Sequence, residues 1–390
     1  MVWRDGSVGR TLSDMDSFPD GRGYLAACTA GLPSLGTLAA QRADLDAWSR
    51  AETSPARYGA LVEEGRALFA SLVGVPAAQV ATGSQTSVMA AVVADALPDG
   101  AEVVVPDGDF SSVVFPFLAQ AHRGVRVRSV PLDRLAASVG PDTALVVWSA
   151  VQSASGVVTD PDPVVAAARR VGALTLCDLT QAAGVLPVSA APFDVTLTHA
   201  YKWLCAPRGV AFMTLSDEAL GRLRPVQAGW YAGEDVWSSC YGPAMRLADD
   251  ARRFDVSPAW PAWPGAVAAL RHAVALDQRS TWRHATALAD RLCDALGSPR
   301  QGRGVGAAAG GGAEGQAIVT FPDADGTALR AVTAAGLTAS GRAGRLRIAF
   351  HHWNDEDDVS AVVAALAGGG AGRVGTVTSR GGAWAGLPGR

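Results

Sequence analysis

The chain is poor in charge and has nothing to attract a polyanion. Asp, Glu, Lys and Arg make up 18% of its 390 residues, and the formal net charge is −4. Without a basic excess, nucleic acid is not an expected partner. The five cysteines, Cys28, Cys177, Cys205, Cys240 and Cys293, are odd in number and scattered, and none forms a Cys-x-x-Cys pair. That excludes a disulfide framework and points to reduced thiols. No metal site is expected. No apolar run approaches the roughly 20 residues a membrane span requires. The first residues, MVWRDGSVGRTLSDMDSFPDG, lack the apolar segment of a signal peptide. The expectation is a cytoplasmic protein without membrane contact. What the chain does have is apolar residues, 49% of the total, enough to build a core for two domains.

Between about residues 60 and 216, short apolar runs alternate with helical patterns. Glu102–Pro106, Ala144–Trp148, Ala173–Cys177, Asp194–Leu197 and Val210–Leu215 read as strands, and Pro163–Val171 as an intervening amphipathic helix. This alternation predicts an α/β fold with a mostly parallel sheet. Beyond Pro225 the pattern changes to loops rich in Trp, Pro and Gly, then one long helical stretch, Pro264–Leu296. Gly302–Gly315 reads as a loop. Ala317–Phe321 and Arg345–Phe350 read as strands of a smaller α+β domain, and Asn354 as the cap of a helix with acids in its first turn. The expected organisation is an N-terminal segment near the active site (1–30), a large domain (31–244), a small C-terminal domain (245–368) and a disordered tail (369–390).

Lys202 stands out within Thr198–Pro207. It follows a buried strand, where an ammonium is costly to desolvate. A Schiff base with a carbonyl cofactor removes that cost. Asp178 ends the strand before it, at the carboxyl edge where α/β sheets bind ligands. A carboxylate there can keep a pyridine nitrogen protonated; a strand-end salt bridge or a cap is the plainer role. Gln181, three residues on, can donate to a ring oxygen. Thr82-Gly83-Ser84-Gln85-Thr86 opens a helix, which suits either a phosphate or simple capping. Phe110 can stack on a planar ring or pack in a core. Arg347 alternates with Leu346 and Ile348, which suits carboxylate binding on a half-buried strand or an exposed face.

Along the chain the order is Thr82–Thr86, Phe110, Asp178 with Gln181, Lys202 and then Arg347, and in that order these residues resemble the class V aminotransferases. These are fold-type I pyridoxal phosphate (PLP) enzymes, among them cysteine desulfurases, kynureninase and isopenicillin-N-epimerase-like proteins. The resemblance runs from about residue 22 to 366. It is carried by Asp178-Leu179-Thr180-Gln181, by Lys202-Trp203-Leu204 with Pro207-Arg208-Gly209, and by Arg347 ahead of Trp353-Asn354. It implies PLP on Lys202, Asp178 at the pyridine nitrogen, Gln181 at the phenolic oxygen and Phe110 stacked on the ring. It implies cofactor contacts from Gly83, Ser84, Gln85, Ser153 and His199, and from Ser257 across a homodimer interface. It places Arg347, Thr29 and Trp230 on an amino-acid substrate. His199 stands where the family commonly has a phosphate-binding serine, and Tyr201 where it has a histidine. The loop Leu337–Arg342 has no cysteine, which argues against persulfide chemistry.

The implied reaction is β-elimination from a cysteine S-conjugate, as in the actinobacterial C–S lyases of ergothioneine and lincosamide metabolism that the chain resembles. The alternatives are decarboxylation-linked oxidative deamination, transamination and epimerisation. A non-catalytic module of the same fold is the reading from outside enzymology. The stretch Trp230, Tyr231, Trp237, Tyr241, Trp260 and Trp263 suits either a pocket wall or dimer packing.

Overall fold

The computed structural model describes residues 17–301 and 315–368. The tail expected to be disordered, most of the Gly302–Gly315 loop and the first sixteen residues lie outside that range. Helices start where a short polar side chain can take an orphan backbone N–H. Ser34 caps α1 (Leu35–Ser49), and Ser54 caps α2 (Pro55–Val73), which has Pro55 in its first turn and a left-handed Gly74 at its end. After β1 (Val80–Gly83) come α3 (Thr86–Asp95), β2 (Glu102–Pro106), α4 (Ser111–Leu118), β3 (Arg126–Val130) and β4 (Thr143–Ser149). Asp160 then caps α5 (Pro161–Val171), which ends at a left-handed Gly172. The sheet continues with β5 (Leu174–Asp178), β6 (Val195–His199) and β7 (Ala211–Leu215), and α6 (Asp217–Arg222) follows.

These strands form one seven-stranded sheet in the order β1-β7-β6-β5-β4-β2-β3. Strand β7 runs antiparallel to both neighbours, and the remaining pairs are parallel. The mostly parallel α/β architecture is therefore present. Two of its strands escape the sequence pattern. Val80–Gly83 is four residues long and ends in glycine. Arg126–Val130 alternates Arg and Val, a charged edge strand instead of a buried run. On one face of the sheet, Phe69 of α2 stacks on Phe212 of β7 with ring centroids 4.2 Å apart. The other face is covered by α3, with Met89 and Val93 packed against Leu145 and Met213.

The single helix expected over Pro264–Leu296 is two: α7 (Trp263–Ala275) and α8 (Gln278–Ala295). Leu276 turns extended, and the Asp277 side chain accepts from the Arg279 amide, so a new N-cap interrupts the run. A three-stranded antiparallel sheet follows, made of β8 (Ile318–Pro322), β9 (Ser340–Arg342) and β10 (Arg345–Ala349), with β10 central and α9 (Thr327–Ala334) between β8 and β9. The last helix, α10 (Glu356–Gly368), is capped by Asp355, not by Asn354. Asp355 Oδ1 accepts from the Asp357 and Asp358 amides. Asn354 instead donates to Asp358 and to the Tyr24 carbonyl. The N-terminal segment is laced to this small sheet, since the Leu25 amide donates to Thr338 O and the Ala349 amide to Leu25 O. That lacing carries Cys28 and Thr29 to the face of β10. No helix among the described residues is long and apolar enough to cross a membrane.

Candidate active site

Strands β1, β2, β4, β5 and β6 point the same way, so Gly83, Pro106, Ser149, Asp178 and His199 end on one edge of the sheet. Ser149 and Asp178 are register partners. The chain leaves β6 at His199 and makes a tight loop. Ala206 N donates to Ala200 O, Cys205 N donates to Lys202 O, and Cys205 takes a left-handed conformation, φ +55°. This loop turns Lys202 inward, where it is 5% exposed. Its Nζ lies 5.2 Å from the centre of the Phe110 ring and 5.8 Å from that of Tyr201. Burial pulls the amine down to about 8, against the opposing pull of Asp178. Asp178 is pushed up to about 6 by the same burial, while its hydrogen bonds from Thr180 hold it down.

Arg347 is the second buried cation. The sequence pattern suggested a half-buried strand, yet β10 is covered on both faces because the N-terminal segment lies over it, and Arg347 is 1% exposed. Its Nε donates to Ser340 Oγ (3.1 Å), its Nη1 to the carbonyl (2.5 Å) and hydroxyl (3.2 Å) of Ser153, and its Nη2 to Thr29 Oγ1 (2.7 Å). The Cys28 thiol is a further hydrogen-bond partner. No carboxylate is among these partners. A buried guanidinium without a carboxylate is costly, and desolvation pushes Arg347 below its ordinary range.

Gln181 sits at the centre of a polar knot. Its Nε2 donates to Cys28 O (2.9 Å) and Ser153 Oγ (3.2 Å), and its Oε1 accepts from the Trp203 indole (2.8 Å). Both amide hydrogens expected on a cofactor oxygen are thus committed, the Ser153 bond being the longer. Trp203 is fixed from the other side as well: its carbonyl accepts from His351 Nε2 (3.0 Å), and their rings stack at 5.4 Å.

Thr29, Ser153, Gln181, Lys202 and Arg347 come together. Phe110, 40% exposed, presents its face to Lys202. Ser84 and Gln85 stand at the N-terminus of α3, and Gly83 before them lies against the flexible tip of Met89, whose methyl would be 2.5 Å from a Cβ there. His199 is buried, with its Nε2 lacking any hydrogen-bond partner. Trp230 packs instead on Tyr231 and Trp237 and against the core beneath α2. Ser257 is exposed, in the segment held to α2 by the buried Arg66–Asp255 ion pair and to β1 by the Thr82 amide, which donates to Asp255. Sequence reading missed Cys28, which sits at the site because β-bridges dock Tyr24 and Ala26 beside β9 and β10. It also missed Asp109, which accepts from the Ser149 amide (2.8 Å) and from Gln152 (3.1 Å) and braces the loop around Phe110. The Asp-Gly-Asp turn after β2 was the available signal.

The model for the family described as aminotransferase class-V matches residues 46–362. The chain belongs to this family. An isopenicillin N epimerase of Amycolatopsis lactamdurans is 32% identical over 34% of this class V aminotransferase and 37% of the relative. A kynureninase of Deinococcus radiodurans is 30% identical over 54% of this chain and 52% of the relative. The matches thus span about half, or less, of those relatives' lengths. Among solved structures, the cystine C–S lyase C-DES in complex with its reaction product cysteine persulfide superposes with a TM-score of 0.78 at 20% identity, over 88% of this chain and 97% of that one. The cysteine desulfurase CsdA of Escherichia coli gives 0.75 at 18%, over 90% and 96%. The fold is therefore that of the fold-type I PLP enzymes, and pyridoxal 5′-phosphate is the cofactor. The residues fit it: a desolvated amine, a carboxylate on the neighbouring strand and an orphaned buried imidazole nitrogen at the same sheet edge.

Proposed function

We propose that this protein is a PLP-dependent lyase acting by β-elimination on a cysteine S-conjugate, and releasing a thiol. The observation that carries the amino-acid part is Arg347, a fully buried cation with no carboxylate among its hydrogen-bond partners. An α-carboxylate is the anion its planar fork accepts. Lys202 would attach the cofactor, Asp178 would hold a proton on its ring nitrogen, and Phe110 would cover its face. When bound, PLP supplies an electron sink conjugated to the substrate α-carbon. The Lys202 amine, which burial holds below its ordinary range, would once freed be the base for the Cα proton. Loss of that proton drives the thiolate from Cβ, and hydrolysis of the remainder yields pyruvate and ammonia.

Elimination is favoured over sulfur transfer because the residues ahead of β10 offer no thiol. Ser340 stands there, in a strand paired to β10 and bonded to Arg347. The enzyme acts as a homodimer in this reading, with Ser257 facing the partner's cofactor. The deciding experiment is incubation with an S-alkyl cysteine. Pyruvate and free thiol in equal amounts are expected. A keto acid that retains sulfur, or an aldehyde with loss of CO2, overturns the lyase reading in favour of transamination or decarboxylative deamination.

A further inference from the structure

The pairing registers put Gly83 of β1, Ala211 of β7 and His199 of β6 on one rung. Aligned residues on neighbouring strands face the same way, so the three share the face covered by α3. Two of them bring almost no side chain. Met89 of α3 packs over Gly83 and Ala211 is fully buried, so the rung brings the His199 imidazole to within two strand spacings, roughly 10 Å, of the strand that leads into the N-terminus of α3. His199 Nε2 is buried and unpartnered. Its ring packs edge-on against Tyr201, centroids 4.4 Å apart, and the Arg208 guanidinium lies over the same tyrosine ring at 4.4 Å. Arg208 has no carboxylate within ion-pair distance among the described residues. Burial, together with Arg208 and Lys202, draws His199 down to about 4, so the imidazole is neutral and brings no charge of its own.

A sheet edge with a neutral buried donor, a helix N-terminus and a guanidinium that has no carboxylate partner suits a phosphate dianion. We infer that Arg208, held on the face of Tyr201, supplies the positive charge for the phosphate of the cofactor, and that His199 is the neutral hydrogen-bond donor beside it. Arg208 is not among the residues that the family resemblance assigns, and Tyr201 is the platform that sets its reach. The inference rests on PLP being attached at Lys202.

The test compares two aldehydes on the full chain stripped of cofactor, pyridoxal phosphate and pyridoxal, which lacks the phosphate. Dissociation constants are read from the absorbance band that borohydride reduces. If wild type forms no reducible adduct with either, and Lys202→Ala behaves the same, the cofactor attachment itself is wrong. With attachment established, Arg208→Ala is expected to weaken pyridoxal phosphate at least tenfold and leave pyridoxal unchanged. Arg208→Lys is expected to retain most of the preference, and His199→Phe to lose part of it. Equal losses for both aldehydes, an unchanged ratio, or a lysine variant as poor as the alanine variant overturns the assignment. Inorganic phosphate should compete with pyridoxal phosphate in wild type and much less in Arg208→Ala.

Discussion

Gly31 rests directly on the main chain of Lys202: a Cβ at Gly31 would lie 2.0 Å from the Lys202 carbonyl oxygen and 2.7 Å from Cys205 Sγ. The Gly31 amide also donates to Tyr201 O. The N-terminal segment and the lysine loop are therefore packed backbone to backbone, which fixes where the amine points. Gly31→Ala has no flexible side chain to displace. It should cost about 1–3 kcal/mol in a denaturation curve, and should slow formation of the borohydride-reducible band by moving Lys202.

Arg347→Met removes the guanidinium and leaves an apolar side chain of similar length. Loss of a charge-assisted bidentate contact predicts a fall in kcat/KM of about 100-fold or more on an amino-acid substrate. Cofactor binding should stay close to wild type. The stripped variant should be no less stable than wild type, because the buried charge is unpaired before substrate arrives. Turnover on decarboxylated substrate analogues, which lack the carboxylate, should be nearly unaffected.

Lys202 and Asp178 give the cofactor-free protein an opposed pH response. Lys202 falls from 10.5 to about 8, so its favourable contribution is complete above 10.5 and is lost as the pH drops through 8. Asp178 rises from 3.8 to about 6, so its contribution is complete below 3.8 and is lost as the pH rises through 6. Stripped Lys202→Met should therefore be more stable than stripped wild type at pH 7, by roughly 2 kcal/mol. The gap should close as the pH is raised from 8 towards 10.5. Denaturant midpoints of both proteins at pH 7 and pH 10 measure it, and the same gap at both values would refute the burial argument.

Cys28 borders both cations, hydrogen-bonding Arg347 and pulling electrostatically on Lys202. In a lyase the thiol only lines the site. Cys28→Ser should keep pyruvate and thiol formation from an S-alkyl cysteine within about threefold, since the hydroxyl replaces the hydrogen bond. Intact-mass spectrometry of wild type after turnover should show no sulfur added to the chain. A sulfur adduct abolished by Cys28→Ser would make the protein a sulfur-transfer enzyme instead.

Much of the fold was legible because its strands are continuous apolar runs, and their carboxyl ends carry the polar residues: Asp178 after Leu-Thr-Leu-Cys, His199 after Val-Thr-Leu-Thr. Lys202, Asp178 and Arg347 could be named from local pattern alone, since a charge at the end of or inside an apolar strand is anomalous wherever the strand goes. The break at Leu276-Asp277 was less legible, because an aspartate in a long polar and apolar alternation looks like an exposed helical residue until its side chain is seen taking the Arg279 amide.

The sequence by itself determined the mostly parallel sheet, the anomalous lysine and its aspartate, because those follow from periodicity and from the cost of burying charge. Only the tertiary structure decided what surrounds them. Thr29, Ser153, Ser340 and Arg347 lie on four separate segments, and no local pattern tells which of them meet. The covering of β10 by the N-terminal segment turned Arg347 from a half-exposed side chain into a buried cation without a carboxylate partner. The strand register set His199 on a rung with Gly83 and Ala211. Both are consequences of long-range pairing, which depends on how whole elements dock and is not written in any one stretch of residues.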